Sequence, residues 1–595
     1  MTIYRAPIRE MRFVLHELLS AECVLAELPG YEEVTPELVD AILAEAGKLC
    51  EEIIFPTNRT GDLEGCRLQD GKVRTPKGFK EAYQVLVTGD WLALACDPMY
   101  GGQGLPETVH FFVEEMLCSA NVAFSLYPGL THGAYITLQK HATDELKRRF
   151  LPNMVAGIWS GSMCLTEPQS GTDLGLLRTR AVPKSDGSYR ITGTKIFITA
   201  GEHDLTENII HMVLARMPEA PAGVKGISLF LVPKILVNED GSLGERNHVT
   251  CNAIEHKMGI KGSATCVLNF DDAVGYLVGQ PHRGLRAMFT MMNHERLAIG
   301  LQGLGLAEVA YQSAAAYAQE RLQGRSLRGP LCPDKPADPI IVHPDVRRML
   351  LTARAYTEAA RALAGWIALQ IDISERHPDA RIREQAEDLV ALLTPVVKAF
   401  FTDYSVEACN LCLQVLGGHG YISEWGMEQL VRDGRIAQLY EGTNGIQALD
   451  LVRRKLAMHD GRLVQRFFTL MDDFLAKNAP DASLQPFLKP LSRALASLKE
   501  TTAWITHEAR VDPNVIGAAA TDYLRLMALV ALAFMWARIA RIALLKSSQQ
   551  EGAFYRAKLA TARFYMARLL PQSAALSETI MSGAAPLMEL DAASF

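Results

Sequence analysis

The spacing of apolar residues changes along this chain, and that change restricts the fold more than any single motif does. Residues 1 to about 160 repeat at three and four residues, the helical period. In VTPELVDAILAEAGKLCEEIIFP, Thr35 can cap, Pro36 suits a first turn, and Leu38, Ile42, Leu49 and Ile53 share a face; Pro56 is expected to stop the helix. From about 160 to 280 the period falls to two. SYRITGTKIFITAG, IIHMVLARM, GISLFLVP and TCVLNFDD are short β-branched or aromatic runs separated by Gly, Pro, Asn and Asp. From 281 to about 460 long amphipathic helices return, and more helices follow AKNAPDASLQP. Blocks of one type, rather than alternating strands and helices, predict an α+β multidomain chain. Its parts are an N-terminal α-helical domain (1–160), a middle antiparallel β sandwich or barrel (161–280), a helical bundle (281–465) and an additional C-terminal helical domain (466–595).

Composition narrows the function. A chain of 595 residues exceeds what one core usually holds. A net charge of −7 leaves no basic excess for phosphates, so a nucleic-acid partner is not expected. Eleven scattered cysteines without a framework read as reduced thiols of a cytoplasmic protein, and Cys409-Asn-Leu-Cys412 reads as two core residues of an apolar helix. MTIYRAPIREMRFVLHELL has no apolar signal core, and DAASF carries no peroxisomal address. LMALVALAFMWA (526–537) is shorter than the roughly 18 residues a spanning helix needs. Arg525 and Arg538 bracket it, so a buried helix rather than integral membrane association is expected. Gly303-Leu-Gly305 begins like a dinucleotide fingerprint but follows a helix and lacks a third glycine, which argues against a Rossmann site.

Three constellations can carry chemistry. MCLTEPQSGTDLGLLRTRA (163–181) gathers Thr166, Glu167, Ser170, Thr172 and Asp173 around Pro168 and Gly171; it is either a donor-rich ligand loop or a capping turn. In KIFITAG (195–201), Phe197 and Thr199 share a strand face and could flank a planar ring, or simply face a core. On GLRAMFTMMNHERLAIGLQGLGLAE, Leu285, Met288, Met292, Glu295, Ile299 and Leu306 form one stripe. Glu295 thus sits at a core position, where a carboxylate needs either a cation such as Arg296 or a cavity to face. Downstream, Gly417-Gly418-His419-Gly420 ends a helix, Arg432-Asp433 suggests an ion pair, and LYEGTNGIQ places Glu441 beside a pliable Gly442-Thr443 turn.

In this order, MYGGQGLP, LTEPQSGTD, ITGTKIFITAG, EHKMGIKGSATC, the arginine of YAQERLQGR, QVLGGHGY and VRDGRIAQLYEGTNGIQ resemble the acyl-CoA dehydrogenase family over roughly residues 40 to 460. MTIYRAPIREMRF and about a hundred extra helical residues resemble its large bacterial subgroup, often labelled 3-methylmercaptopropionyl-CoA dehydrogenase, which includes broad long-chain enzymes.

The resemblance implies a flavoprotein in which Glu441 removes the α-proton of an acyl-CoA while the β-hydrogen leaves as hydride to flavin N5, giving the trans-2-enoyl-CoA. Met163, Leu165 and Thr166 would line the pyrimidine edge of FAD, Phe197 would stack, and Thr199 would reach N5. Arg321 and Gln323 of one subunit, with Gln414, Gly417 and Gly418 of its neighbour, would hold the ADP half; Thr443 and Asn444 would close over it. Thr172, Arg296 and Arg453 fall on the substrate side. A homodimer or dimer of dimers and electron-transfer flavoprotein as electron acceptor are implied. Three departures stand out: Phe for Trp at 197, Gly445 for the usual Glu or Gln, and Glu295 where branched- and long-chain relatives place their base. Having both acids leaves Glu295 as an alternative base to Glu441. An acyl-CoA oxidase or a non-catalytic scaffold member is the competing reading; YEGT rather than YEGD and the intact site residues argue against each.

Overall fold

The computed structural model describes residues 2–595. The chain divides into two compact units, residues 48–106 with 116–298, and residues up to 47 with 107–115 and 299–595.

The first unit holds the strands. β1 (Arg67–Gln69) and β2 (Lys72–Arg74) form a hairpin within the stretch predicted to be helical. Its Asp70-Gly71 tip has φ of 50° and 70°, the two positive values that a tight reversed turn needs. The others are β3 (Trp159–Cys164), β4 (Arg180–Pro183), β5 (Tyr189–Thr199), β6 (Asn208–Arg216), β7 (Ile227–Pro233), β8 (Ile235–Val237), β9 (Leu243–Arg246), β10 (Val249–Ile254) and β11 (Thr265–Val278). Seven form one sheet in the order β10-β11-β5-β4-β6-β3. Because β7 pairs with both β11 and β6, the strands from β11 round to β7 close on themselves. Ile191, Val213, Phe230, Val232 and Leu268 belong to its core. The ladders are antiparallel except β3–β6 and the single β4–β6 pair, which are parallel; β4 and β5 supply the long connection that a parallel pair requires. β7 is buried along its whole length and β6 up to its last residue, so their apolar runs are continuous rather than alternating.

The second unit is helical. Pro344–Arg376 and Ala380–Val415 form a hairpin around a turn at 377–379. Between them and their neighbours lies buried charge. Arg361, 1% exposed, donates to Glu115 at 2.6 and 2.8 Å and to Glu308 at 2.6 Å. Lys558, on the Gly552–Phe564 helix, donates to Glu358 at 2.9 Å and to Glu10. The C-terminal helices are therefore built into the bundle rather than appended to it. Asn514–Lys546 runs through the middle, with Leu526–Ala537 buried throughout, and Trp536 Nε1 donates to the Ala355 carbonyl at 3.0 Å. Ala380–Val415 and Asn514–Lys546 are long and apolar enough to cross a membrane, yet 78% and 72% of their most apolar windows are buried inside the protein. Both are core helices, and Cys409 and Cys412 are fully buried on the first.

One local expectation is corrected, and two other singled-out positions find their place. Pro56 does not stop a helix; the chain stays helical through Cys50–Ile54, and Pro56 opens Pro56–Glu64 at its first turn, where a missing N–H costs nothing. Arg432 pairs with Glu428 one turn back at 2.5 Å, and Asp433 accepts from Gln429 at 3.3 Å. Gly303 lies mid-helix, where a Cβ would come 2.7 Å from the Phe401 carbonyl oxygen; it permits a close helix crossing.

Replacing Arg361 with Met leaves two buried carboxylates without their cation, so it should lower unfolding free energy by about 3–5 kcal/mol. Adding Glu115→Gln and Glu308→Gln should recover part of that loss, measured by denaturant unfolding.

Candidate active site

In the strand unit, the 163–167 segment leaves β3 and is tied to β5 by one buried cation. Lys195, fully buried, donates to Glu167 Oε1 at 2.9 Å and to the Leu165 carbonyl at 3.0 Å. Ile196 N–H donates to the Thr166 carbonyl at 2.9 Å. Glu167 also accepts from Thr179 N–H and Oγ1 and from Arg178 N–H. Burial alone would push the Glu167 carboxyl up, but the Lys195 ammonium and the Thr179 hydroxyl outweigh it and bring it down to about 2. Burial brings Lys195 down to about 8 despite Glu167. A polar knot thus fixes Leu165 and Thr166 against the strand that carries Phe197 and Thr199.

That strand is irregular where it matters. Its register with β11 shifts between Cys266 and Leu268, so Ile196 and Phe197 together oppose one residue. Phe197 takes φ +59° in this bulge and is 59% exposed as a residue. A left-handed aromatic residue costs roughly 1–2 kcal/mol, and its exposure forgoes burial as well. Such an outlier marks a site rather than a packing solution. Met163, Leu165, Thr166 and Thr199 are half-buried, and Thr172 is exposed in the loop after Glu167. Neither the Thr166 nor the Thr199 hydroxyl is used in a hydrogen bond among the described residues.

Glu295 is 4% exposed on the Gly284–Glu320 helix. Its Oε1 lies 2.5 Å from where a Cβ on Gly133 would stand, so the glycine makes room for the carboxylate. Arg296 turns to Asn293 Oδ1 at 3.2 Å and to the Phe289 ring. Gly300 lies against Val397, whose Cγ1 is 2.5 Å from where a Cβ would stand.

In the helical unit, the Glu441 turn is held from several sides. Glu441 has φ +55° and Gly442 φ +80°. Lys398, fully buried on Ala380–Val415, donates to the Gly442 carbonyl and to Asn444 Oδ1, both at 2.8 Å. Asn444 Nδ2 lies within hydrogen-bond distance of the Ala399 carbonyl, Thr402 Oγ1 and Asp403 Oδ1. Gln447 Nε2 donates to the Glu441 carbonyl at 3.3 Å, and Thr443 Oγ1 caps Asn444–Asp450 by accepting from Ile446 N–H. Tyr440 OH donates to Gln302. Glu441 is half-buried with Oε2 shielded from solvent. The Asn444 carboxamide thus holds the turn through Lys398, Ala399, Thr402 and Asp403.

Arg321 and Gln323 lie exposed at the start of a loop knotted by Asp338. Asp338 accepts from Ser326, Leu331 and Cys332 N–H and from Arg325, and the backbone donors bring it down to about 2. Gln414, Gly417 and Gly418 are exposed, and a Cβ on either glycine would meet nothing within 4 Å, so a ligand can approach the backbone closely. His419 stacks on Trp425 and hydrogen-bonds Tyr317 at 2.8 Å. Arg453 is exposed on Leu451–Lys455. Lys195, Lys398, Gln447 and Asp338 escaped sequence reasoning. The two lysines left a signal, a lone cation inside KIFI and inside VVKAFF.

Four family profiles match in order: the acyl-CoA dehydrogenase N-terminal domain at 41–158, its middle domain at 162–273, its C-terminal domain at 282–456, and an acetyl-CoA dehydrogenase C-terminal-like region at 467–591. The 3-methylmercaptopropionyl-CoA dehydrogenase of Ruegeria pomeroyi is 42% identical over 582 residues, covering 96% of this chain and 97% of that one. Among solved structures, Caenorhabditis elegans ACDH-11 in complex with C11-CoA aligns with a TM-score of 0.78 at 18% identity, over 99% of this chain and 96% of that one. Bacillus anthracis acyl-CoA dehydrogenase complexed with FAD aligns at 0.75 and 19% identity, over 94% and 90%. The full-length identity, with four profiles in family order, establishes that this chain is an oxidoreductase of the acyl-CoA dehydrogenase family.

Proposed function

We propose that this protein is an FAD-dependent acyl-CoA dehydrogenase that converts an acyl-CoA thioester to its trans-2-enoyl-CoA, with Glu441 as the base that takes the α-proton. The observation that carries the reading is the Glu441 turn: a carboxylate with one shielded oxygen, held in a left-handed conformation by buried polar partners. An α-proton is far less acidic than a carboxylic acid, so the base needs a water-poor setting and the thioester oxygen needs donors as charge develops on it. The Glu441 N–H is the chain's own candidate donor to that oxygen.

The strand unit fits a flavin in its chemistry. An exposed Phe197, two unengaged hydroxyls at Thr166 and Thr199, and a backbone edge at 163–166 supply an aromatic neighbour and donors for a planar heterocycle. FAD, when bound, accepts the β-hydrogen as hydride at N5 and passes the electrons on, here to electron-transfer flavoprotein. Met163 and Leu165 line the ring edge, while Arg321 and Gln323 of one copy with Gln414, Gly417 and Gly418 of another hold the ADP half, so the working form is at least a homodimer. Thr172, Arg296 and Arg453 contact the CoA side. Glu295 shapes the acyl pocket rather than removing the proton, and 3-methylthiopropionyl-CoA is the first substrate to test, as the name of the Ruegeria relative suggests.

Anaerobic bleaching of the flavin by a panel of acyl-CoAs differing in length and branching should name the preferred substrate, and slow reoxidation in air should accompany it. Glu441→Gln should slow bleaching by roughly 10²–10⁴-fold, the range of a lost general base. If Glu295→Gln abolishes bleaching and Glu441→Gln leaves it intact, the roles are reversed. The Glu167 carboxyl is lowered from about 4.5 to about 2, so its contribution is complete above pH 4.5 and lost as pH falls through 2. FAD appearing in an ultrafiltrate should therefore stay low at pH 5 and rise only as pH approaches 2, and Lys195→Met should raise it at every pH.

A further inference from the structure

The Lys398 ammonium contacts the Glu441 turn, and the proposed proton abstraction gives it no direct part. It is fully buried inside an apolar stretch of the Ala380–Val415 helix. Burying an ammonium costs several kcal/mol unless its donors are met. Here two go to acceptors of the turn itself, one on each side of Thr443. A lysine kept merely for packing would be replaced at no loss by Met or Leu.

We infer that Lys398 is a positioning residue for the base: by pinning the Gly442 carbonyl and the Asn444 side chain, it holds residue 441 in the left-handed conformation that aims the carboxylate and its own N–H. This inference rests on Glu441 being the base. The geometry makes the dependence specific. At φ +55° Glu441 is strained by roughly 1–2 kcal/mol, and relaxing to negative φ would swing the Gly442 carbonyl off Nζ. Gly442, at φ +80°, leaves room for Gln447 Nε2, which lies 2.5 Å from where a Cβ would stand and donates to the Glu441 carbonyl. Asp403 completes the frame: its Oδ1 accepts from Asn444 Nδ2 and from Gln438 Nε2, both at 2.7 Å. Lys398, Asp403 and Gln447 thus grip Gly442, Asn444 and the carbonyl of the base itself, and none is offered as a contact to substrate.

The test compares full-length Lys398→Met, Asp403→Asn and Glu441→Gln proteins loaded with FAD, in steady-state assays with the fastest acyl-CoA of the panel. Lys398→Met should lower kcat about 10²-fold, the scale of a misplacement near 1 Å, with KM within twofold and with FAD content and melting temperature close to wild type. Asp403→Asn should lower kcat less, about tenfold, with the same split. Wild-type kcat in Lys398→Met, or a rise in KM with kcat unchanged, would overturn the inference. If Lys398→Met does not fold, Asp403→Asn decides alone, and wild-type kcat there counts against the clamp. Glu441→Gln separates the two ideas: if it is inactive while both clamp variants behave as wild type, only the positioning role fails, and if it is active the base assignment fails first.

Discussion

A buried ammonium reaching a backbone carbonyl, Lys398 Nζ on the Gly442 oxygen at 2.8 Å, is the contact on which the geometry of the candidate base depends. Left to local preference, residue 441 would relax out of the left-handed region, because its Cβ crowds the following carbonyl. What holds it is a set of side chains from one rigid helix, Ala380–Val415, together with Gln447 beneath the turn. That helix is in turn fixed by its hairpin with Pro344–Arg376 and by the Asn514–Lys546 helix, which also packs on the short Asn444–Asp450 helix directly after the base. Chain added beyond residue 466 is thereby joined to the turn through packing, and Lys558 ties it to the opposite end of the sequence through Glu10 and to Pro344–Arg376 through Glu358.

The strand unit uses the same device for a different purpose. Lys195 grips Glu167 and the Leu165 carbonyl as Lys398 grips Asn444 and the Gly442 carbonyl. Each lysine is fully buried, each bonds one side chain and one main-chain oxygen, and each lies beside a non-glycine residue at positive φ, Phe197 in one unit and Glu441 in the other. Strained segments persist only where their surroundings over-determine them. Two interior cations do that here, and hydrophobic packing could not, because it has no direction.

Block order, helical then stranded then helical, was legible because the apolar period changes from 3.6 to 2 and back, and the buried nature of 526–537 followed from its flanking arginines. Closure of the sheet was not legible. It depends on β7 meeting both β11 and β6, which no local pattern encodes. The 67–74 hairpin was missed although Asp70-Gly71 announces it, because three-residue strands are too short to show a period. Pro56 misled because a proline at a first helical turn and one at a helix end look alike in sequence. At the site, motif residues could be named from the resemblance, but the duty of Asn444 could not. Whether an amide faces a ligand or its own scaffold depends on a helix some forty residues away. For the same reason the two buried lysines, visible only as single charges in apolar runs, drew no attention.

Removal of the α-proton by Glu441 can be read in isolation from hydride transfer. With the flavin kept reduced in D₂O, wild-type protein should exchange deuterium into the α-position of a saturated acyl-CoA, Glu295→Gln should do likewise, and Glu441→Gln should not. Exchange that survives in Glu441→Gln and disappears in Glu295→Gln would contradict the account at its centre.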